Sequence, residues 1–115
     1  MIPKELVGAS ARPILLSILS RGESYGYAIL QRVHDLSDGD LEWRDGMLHP
    51  VLPRLQDEQL ITSNWRKSEG CRRRKYYRIT PLGAQALATE KRNWLCVNAI
   101  LSALWNSEPG LIPAI

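Results

Sequence analysis

The residues best suited to chemistry in this sequence are a run of cations between Arg66 and Arg78, RKSEGCRRRKYYR. Seven basic side chains against the single carboxylate of Glu69 give this run a net charge of +6, whereas the whole chain carries +3. A Lys or Arg beside a phosphate releases condensed counterions, so a local excess of this kind suits a polyanion such as nucleic acid. A solvated basic loop is the alternative that charge alone leaves open.

Other chemistry finds little support in the sequence. The two histidines, His34 and His49, and the two cysteines, Cys71 and Cys96, are not spaced as zinc ligands. We find neither a glycine-rich phosphate loop nor a nucleophile motif. We therefore predict no enzymatic activity, no metal and no cofactor. One cysteine lies in the basic run and the other in an apolar segment, so we expect them to be unpaired, as in a cytoplasmic protein.

The chain as a whole has the composition of one small soluble domain. It has 115 residues, of which 44% are hydrophobic and 23% charged. Its apolar runs are shorter than the ~18 residues that a membrane span needs. The first residues lack the pattern of a signal peptide. These features predict a cytoplasmic protein that makes no contact with a membrane.

The basic run is framed by residues typical of a β-hairpin. Residues 60–65 and 75–80 are rich in apolar, aromatic and β-branched side chains, and residues 68–71 between them include turn formers. The cations therefore fall on the hairpin tip and on its second strand. Thr80 and Pro81 then suit the N-cap and the first position of a following helix.

Three helices are predicted before the hairpin. The first is best defined over 13–20, with a lead-in from residue 4 that Pro13 interrupts. The second runs from Tyr25 to about Leu36 with Ser24 as its cap, and a short strand is expected at 41–43.

The third helical segment is ambiguous. Leu48, Leu52 and Leu55 recur at helical spacing, and Asp45 suits a cap, but Pro50 and Pro53 fall inside the segment. Each proline removes a backbone hydrogen bond. Propensity alone therefore places 44–53 in a loop, in conflict with the periodicity.

A long C-terminal helix is predicted from Pro81 to about Asn106. Its residues 94–105 are apolar on nearly every side, which is more than a small domain can bury by itself. We therefore expect a homodimer through this helix, although Glu90 interrupts the heptad-like seam. The predicted interface residues are Leu87, Trp94, Val97, Leu101, Leu104 and Trp105.

In this order the elements predict a mainly α fold with a small β-hairpin: a winged helix-turn-helix plus a long C-terminal dimerisation helix. The sequence resembles the PadR-like family of transcriptional regulators, in its short subgroup with a single C-terminal helix. The matching stretches are Tyr25-Gly26-Tyr27, Gly46-Met47-Leu48-His49-Pro50, Leu52, Arg54-Leu55, Leu60-Ile61, and Arg73–Thr80 with Gly83.

The resemblance spans roughly 5–105. It favours a DNA-binding domain over 1–80, a dimerisation helix over 81–106 and a flexible tail over 107–115. The family usually has Gly-Thr-Leu-Tyr-Pro in the third helix, so it tolerates Pro50, and 45–59 is interpreted as a recognition helix. This chain departs from the pattern at Arg44, Met47, His49 and Pro53.

The resemblance implies a homodimeric repressor that binds a palindromic operator in double-stranded DNA. Met47 and His49 would lie near base edges and Arg54 near a phosphate; packing or solvent exposure is an equally open role for His49. The wing would place its cations against phosphates or in the minor groove. These wing residues are Arg72, Arg73, Arg74 and Lys75.

A small aromatic or hydrophobic effector at the dimer interface is a further implication of the resemblance. It would bind between two copies of Trp94, with Val97 and Leu101 as walls; ordinary core packing of Trp94 is the alternative. Competing functions are a winged-helix protein-interaction module, which does not need so basic a wing, and RNA binding, which favours an open sheet with stacking aromatics.

Overall fold

The structure is a computed structural model that describes residues 2–67, 70 and 72–106. Cys71 and the tail predicted over 107–115 lie outside these residues. The described elements are α1 (Lys4–Ser20), β1 (Ser24–Tyr25), α2 (Gly26–Leu36), α3 (Asp45–Asp57), β2 (Ile61–Lys67), β3 (Arg73–Ile79) and α4 (Pro81–Trp105). The predicted fold class, mainly helical with a small antiparallel sheet, is confirmed. Among the described residues, no helix is both long and apolar enough to cross a membrane.

The sheet has three strands in the order β1-β3-β2, and both pairs are antiparallel. The predicted hairpin is β2 and β3, in which Trp65 lies opposite Lys75. The third strand was not predicted, because Ser24 pairs with Tyr77 in the sheet rather than capping α2. The short strand predicted over 41–43 is wrong. That segment is an irregular connection that buries Trp43 in the core.

Prolines do not break the helices of this domain. α1 continues through Pro13, which was predicted to interrupt it, and α3 continues through both Pro50 and Pro53. The loop that propensity places over 44–53 is therefore wrong, and the leucine periodicity is right. Asp45, predicted as a cap, is the first residue of α3, and Arg44 precedes it as the N-cap.

The core lies where α1, α2 and α3 meet the start of β2. Its fully buried side chains are Leu15, Leu16, Leu19, Ile29, Leu55 and Ile61. Helix α4 reaches this core only through its first turns, where Ala86 and Leu87 pack against it. The rest of α4 extends away, so the chain measures 63 × 30 × 21 Å with a radius of gyration of 17.3 Å. A compact chain of this length has a radius of gyration of about 13 Å.

The joint between the wing and α4 is held by a helix cap and a close backbone approach. The Thr80 hydroxyl accepts a hydrogen bond from the Gly83 N–H at 2.9 Å and donates one to the Gln59 carbonyl at 2.7 Å. The predicted cap at Thr80, with Pro81 in the first turn, is thus confirmed. Gly83 is buried against the Leu60 carbonyl, to which the Thr80 N–H also donates at 3.0 Å.

Arg12 links three helices through one guanidinium group. It donates to both carboxylate oxygens of Glu58, at 2.7 and 3.1 Å, and to Glu90 at 3.0 Å. Glu58 directly follows α3 and Glu90 lies on α4, so both helices are tied to α1. The hydrogen bond from Arg12 lowers the pKa of Glu58. This contact also explains why a carboxylate interrupts the apolar seam of α4 at position 90.

We predict that Gly83→Ala destabilises the fold. An added Cβ would collide with the Leu60 carbonyl oxygen and lie 2.7 Å from Ile79 Cγ1. The free energy of unfolding, measured by urea denaturation, should fall by about 1–3 kcal/mol despite the better helix propensity of alanine. Gly8→Ala is the matched control, since a Cβ there meets nothing within 4 Å. The control should stabilise by up to about 1 kcal/mol, and equal stabilisation by Gly83→Ala would contradict the close approach.

We predict that Glu58→Gln reduces the loss of stability in acid. Because the pKa of Glu58 is lowered in the folded state, its stabilisation is complete above the ordinary value of 4.5 and is lost as the pH falls through the lowered value. The wild type should therefore lose more unfolding free energy than the variant between neutral pH and about pH 3. Asp57→Asn, at a carboxylate without an ion pair among the described residues, is the control and should behave like the wild type.

Candidate nucleic-acid interface

Helix α3 presents a mixed outer surface because its leucines face the core. Leu48, Leu52 and Leu55 are buried, which leaves His49 and Arg54 exposed on the two flanks of the helix. Met47, predicted near base edges, is half-buried and packs against the core. The structure thus separates the predicted recognition residues: His49 and Arg54 face solvent, whereas Met47 presents only part of its side chain.

The wing has two faces with different surroundings. The wing is the hairpin of β2 and β3. Cross-strand pairing puts Trp65 with Lys75 and Ser63 with Tyr77 on the face that continues into the core, which we call the first face. Burial on this face raises the pKa of the Tyr77 phenol. The alternate residues of β3 lie on the opposite face of the wing, which we call the second face: Arg74, Tyr76 and Arg78. The basic run is therefore divided between the two sides of one ribbon.

The second face carries an internal counter-charge. Glu23, just before β1, accepts from Arg66 at 2.7 Å and lies 3.6 Å from Arg78. The Arg66 guanidinium also stacks 3.7 Å from the centre of the Tyr76 ring. The Arg74 guanidinium lies 4.4 Å from the ring centre of Tyr25. Cations on this face therefore have partners inside the protein.

The first face carries an exposed tryptophan. The Trp65 side chain is 56% exposed. The Arg73 guanidinium lies 5.4 Å and the Lys75 ammonium 6.0 Å from its ring centre, within reach of a cation–π attraction. Sequence reasoning did not single out Trp65. The sequence could have indicated it, because side chains alternate between the two faces of a strand. Trp65 is therefore on the same face as Ile61 and Ser63, which is the face towards the core.

A cleft separates α3 from the wing and has a volume of about 430 Å³. One wall is α3, which carries His49, and the other is the wing, where Trp65 and Lys75 of the first face are joined by Arg74 of the second. The polar and aromatic lining residues are Tyr25, Asp45, His49, Trp65, Arg74 and Lys75. The cleft thus combines two cations, one carboxylate and aromatic rings on adjacent elements. Arg72 and Arg73 are exposed at the start of β3.

Helix α4 presents the residues predicted for a dimer and an effector. Every residue from Lys91 to Leu101 is exposed in the single chain. Trp94 lines an open groove of about 490 Å³ between α1 and α4, whose walls include Ile14, Ile18 and Leu36. The predicted effector residues Val97 and Leu101 lie outside this groove. The exposed fractions of the large apolar residues reach 47% at Leu104 and 72% at Trp105.

Leu87 is the predicted interface residue that behaves differently, since it packs against the core of its own chain.

Cys96 is a free, exposed thiol on α4. Within the described part of the chain, no cluster of His, Cys, Asp and Glu is arranged to hold a metal ion.

The comparison with protein families matches residues 15–89 to the transcriptional regulator PadR-like family. A solved transcriptional regulator from Clostridium thermocellum is 27% identical, with a TM-score of 0.80 over 90% of this chain and 97% of that one. A PadR-like transcriptional regulator from Bacillus cereus is 28% identical, with a TM-score of 0.79 over 91% of this chain and 100% of that one.

A curated relative, the transcriptional regulator YqjI from Escherichia coli, is 37% identical over 76 residues. That match covers 66% of this chain but 35% of the relative, so this chain resembles only a part of the larger protein. The two solved structures, in contrast, are matched over nearly their whole length.

Proposed function

This chain belongs to the PadR-like family of transcriptional regulators, and we propose that it is a homodimeric repressor that binds a palindromic operator in double-stranded DNA. The observation that carries the proposal is the cleft in which exposed His49 of α3 lies opposite the basic wing. A helix with an exposed polar edge beside a cationic ribbon suits a duplex, because the two elements can enter neighbouring grooves.

Each predicted DNA contact has a distinct role in this proposal. His49 reads base edges from the N-terminal half of α3, and Arg54 contacts a phosphate. Met47 adds only the exposed part of its side chain to the major groove. The wing residues Arg72, Arg73, Arg74 and Lys75 supply the phosphate and minor-groove contacts, which fix the position of the protein more than they read sequence.

The homodimer is supported by the shape and surface of α4. The helix is about 37 Å long at 1.5 Å per residue, and past its first turns it has no core of its own to cover its apolar side chains. A contiguous apolar surface of this kind marks an interaction site. We assign DNA binding to 1–80 and dimerisation to 81–106, so that a two-fold axis between two α4 helices sets the spacing of the half-sites.

A small aromatic or hydrophobic effector fits the groove beside Trp94. Its walls are mostly apolar, and in the proposed dimer a second copy of α4 closes its open side. The groove also has a physical link to the DNA-binding helix: Glu90, one helical turn before Trp94, shares Arg12 with Glu58 at the end of α3. An effector that shifts α4 would act on α3 through this arginine, and release of the operator follows from the changed position of α3.

We predict tight binding to the duplex upstream of the protein's own gene. Fluorescence anisotropy should show a clear preference for that duplex over a scrambled one, with affinity falling steeply as salt rises. Arg73→Ala with Arg74→Ala should weaken binding to both duplexes and reduce the salt slope by about one for each lost phosphate contact.

The outcomes of that titration separate the candidate functions. Equal affinity of wild type and double variant would contradict the role of the wing. A wild type that binds no duplex even at low salt would contradict the proposed function as a whole and favour a protein-interaction module.

We predict that the wild type is a dimer at micromolar concentration and that Leu104→Glu shifts it towards the monomer. The glutamate would place a charge in the apolar interface, where it has no partner. Leu82→Glu is the matched control: Leu82 is 48% exposed and Leu104 47%, but Leu82 lies in the first turn of α4, away from the seam. Sedimentation equilibrium measures the association, and a monomeric wild type would contradict the interface.

A further inference from the structure

We propose that the cleft between α3 and the wing holds one sugar–phosphate strand of duplex DNA, with Trp65 and Lys75 as the wing-side contacts. We propose equally that Arg66 and Arg78, which share the carboxylate of Glu23 on the opposite face of the wing, make no contact with the duplex. The inference rests on the proposed function and adds to it a contact residue and a choice between the two faces of the wing.

The geometry of a duplex is the first argument. The major and minor grooves are separated by a sugar–phosphate strand, so a protein that puts a helix into one groove and a ribbon into the next must straddle that strand. In this chain the space between the two elements is a cleft of about 430 Å³, with His49 on one wall and Trp65 on the other. The cleft therefore faces the strand, and only its α3 wall adjoins the bases.

The chemistry of the wing wall is the second argument. Lys75 supplies a positive charge to a phosphate, and Arg73 lies on the same face of the ribbon. The exposed indole of Trp65 offers an apolar surface for a deoxyribose and an N–H that can donate to a phosphate oxygen. Its cation–π contacts with Arg73 and Lys75 keep both cations beside the ring.

The α3 wall contributes differently. Asp45, in the first turn of α3, is the carboxylate of the lining. It lies on the helix that enters the major groove, where a carboxylate can accept from a cytosine amino group. The negative charge therefore belongs to the base-reading side, and the phosphate is held from the wing.

The opposite face of the wing is the third argument. Glu23 lies within ion-pair distance of both Arg66 and Arg78. Exposed pairs of this kind add little to folding stability, but while they are formed the single carboxylate offsets one of the two positive charges that a phosphate would otherwise meet. Arg66 is further engaged by the Tyr76 ring at 3.7 Å. These two arginines raise the charge of the sequence without raising the charge of the cleft.

Two substitutions on one strand test the choice of face. Lys75→Gln and Arg78→Gln remove the same charge from β3, but the two side chains project from opposite faces. The probe is a random-sequence duplex titrated between about 50 and 200 mM salt, because backbone contacts do not depend on sequence. Lys75→Gln should lower the salt slope by about one. Arg78→Gln should leave both slope and affinity at the wild-type values.

Trp65→Ala tests the new contact residue. It should weaken binding of the same duplex by about ten-fold, the effect of losing one hydrogen bond to a charged group. Its thermal midpoint should stay close to that of the wild type, because the side chain is half-exposed. In Trp65→Phe, duplex-induced quenching of tryptophan emission should be smaller than in the wild type, which would report proximity of Trp65 to DNA independently of affinity.

The two levels of the proposal fail separately. A wild type that binds no duplex would remove the proposed function and this inference together. A wild type that binds, with Lys75→Gln and Arg78→Gln equally weakened, would overturn the choice of face and leave DNA binding intact. Unchanged affinity and quenching in the Trp65 variants would overturn the contact at Trp65.

Discussion

The burial of Leu48, Leu52 and Leu55 along α3 is the constraint on which the rest of the structure depends. Fully burying a leucine stabilises by about 1.5–3 kcal/mol and a proline inside a helix costs about 3 kcal/mol, so three leucines contribute about 4.5–9 kcal/mol against a cost of about 6 kcal/mol for two prolines. The same burial fixes the rotation of the helix. Once its leucines face the core, His49 and Arg54 must face outward, and the wall opposite the wing is determined.

The elements that can be predicted from the sequence are those that interactions between neighbouring residues determine. The cap at Thr80 with Pro81, the turn between two β-prone segments and the leucine repeat of α3 are all properties of neighbouring residues. The misassigned segments depend on distant partners. Ser24 joins the sheet because β3 offers it an edge, and the irregular segment before α3 buries Trp43 in the core.

The candidate site is predictable only in part for the same reason. The basic run is visible in the sequence, and strand alternation divides its cations between two faces. The counter-charge on one face comes from Glu23, which lies 43 residues before Arg66 in the chain. Trp65 is visible in the sequence but gains meaning only when α3 is placed across from it. Glu90 interrupts the apolar seam of α4 in the sequence, and in the structure it forms an ion pair with Arg12. The pair exists because α4 packs on α1 at this point.

The pairing of Glu23 with Arg66 and Arg78 has a consequence for how such a protein would find its target. A chromosome offers about a million or more competing sites, and every uncompensated cation lengthens the stay on each of them alike. The ion pairs of Glu23 with Arg66 and Arg78 would reduce this charge and so shorten the time spent on each wrong site, without changing α3. The preference of such a protein for one sequence would then rest more on the contacts of α3 and less on charge, because the sequence-independent part of its affinity is smaller.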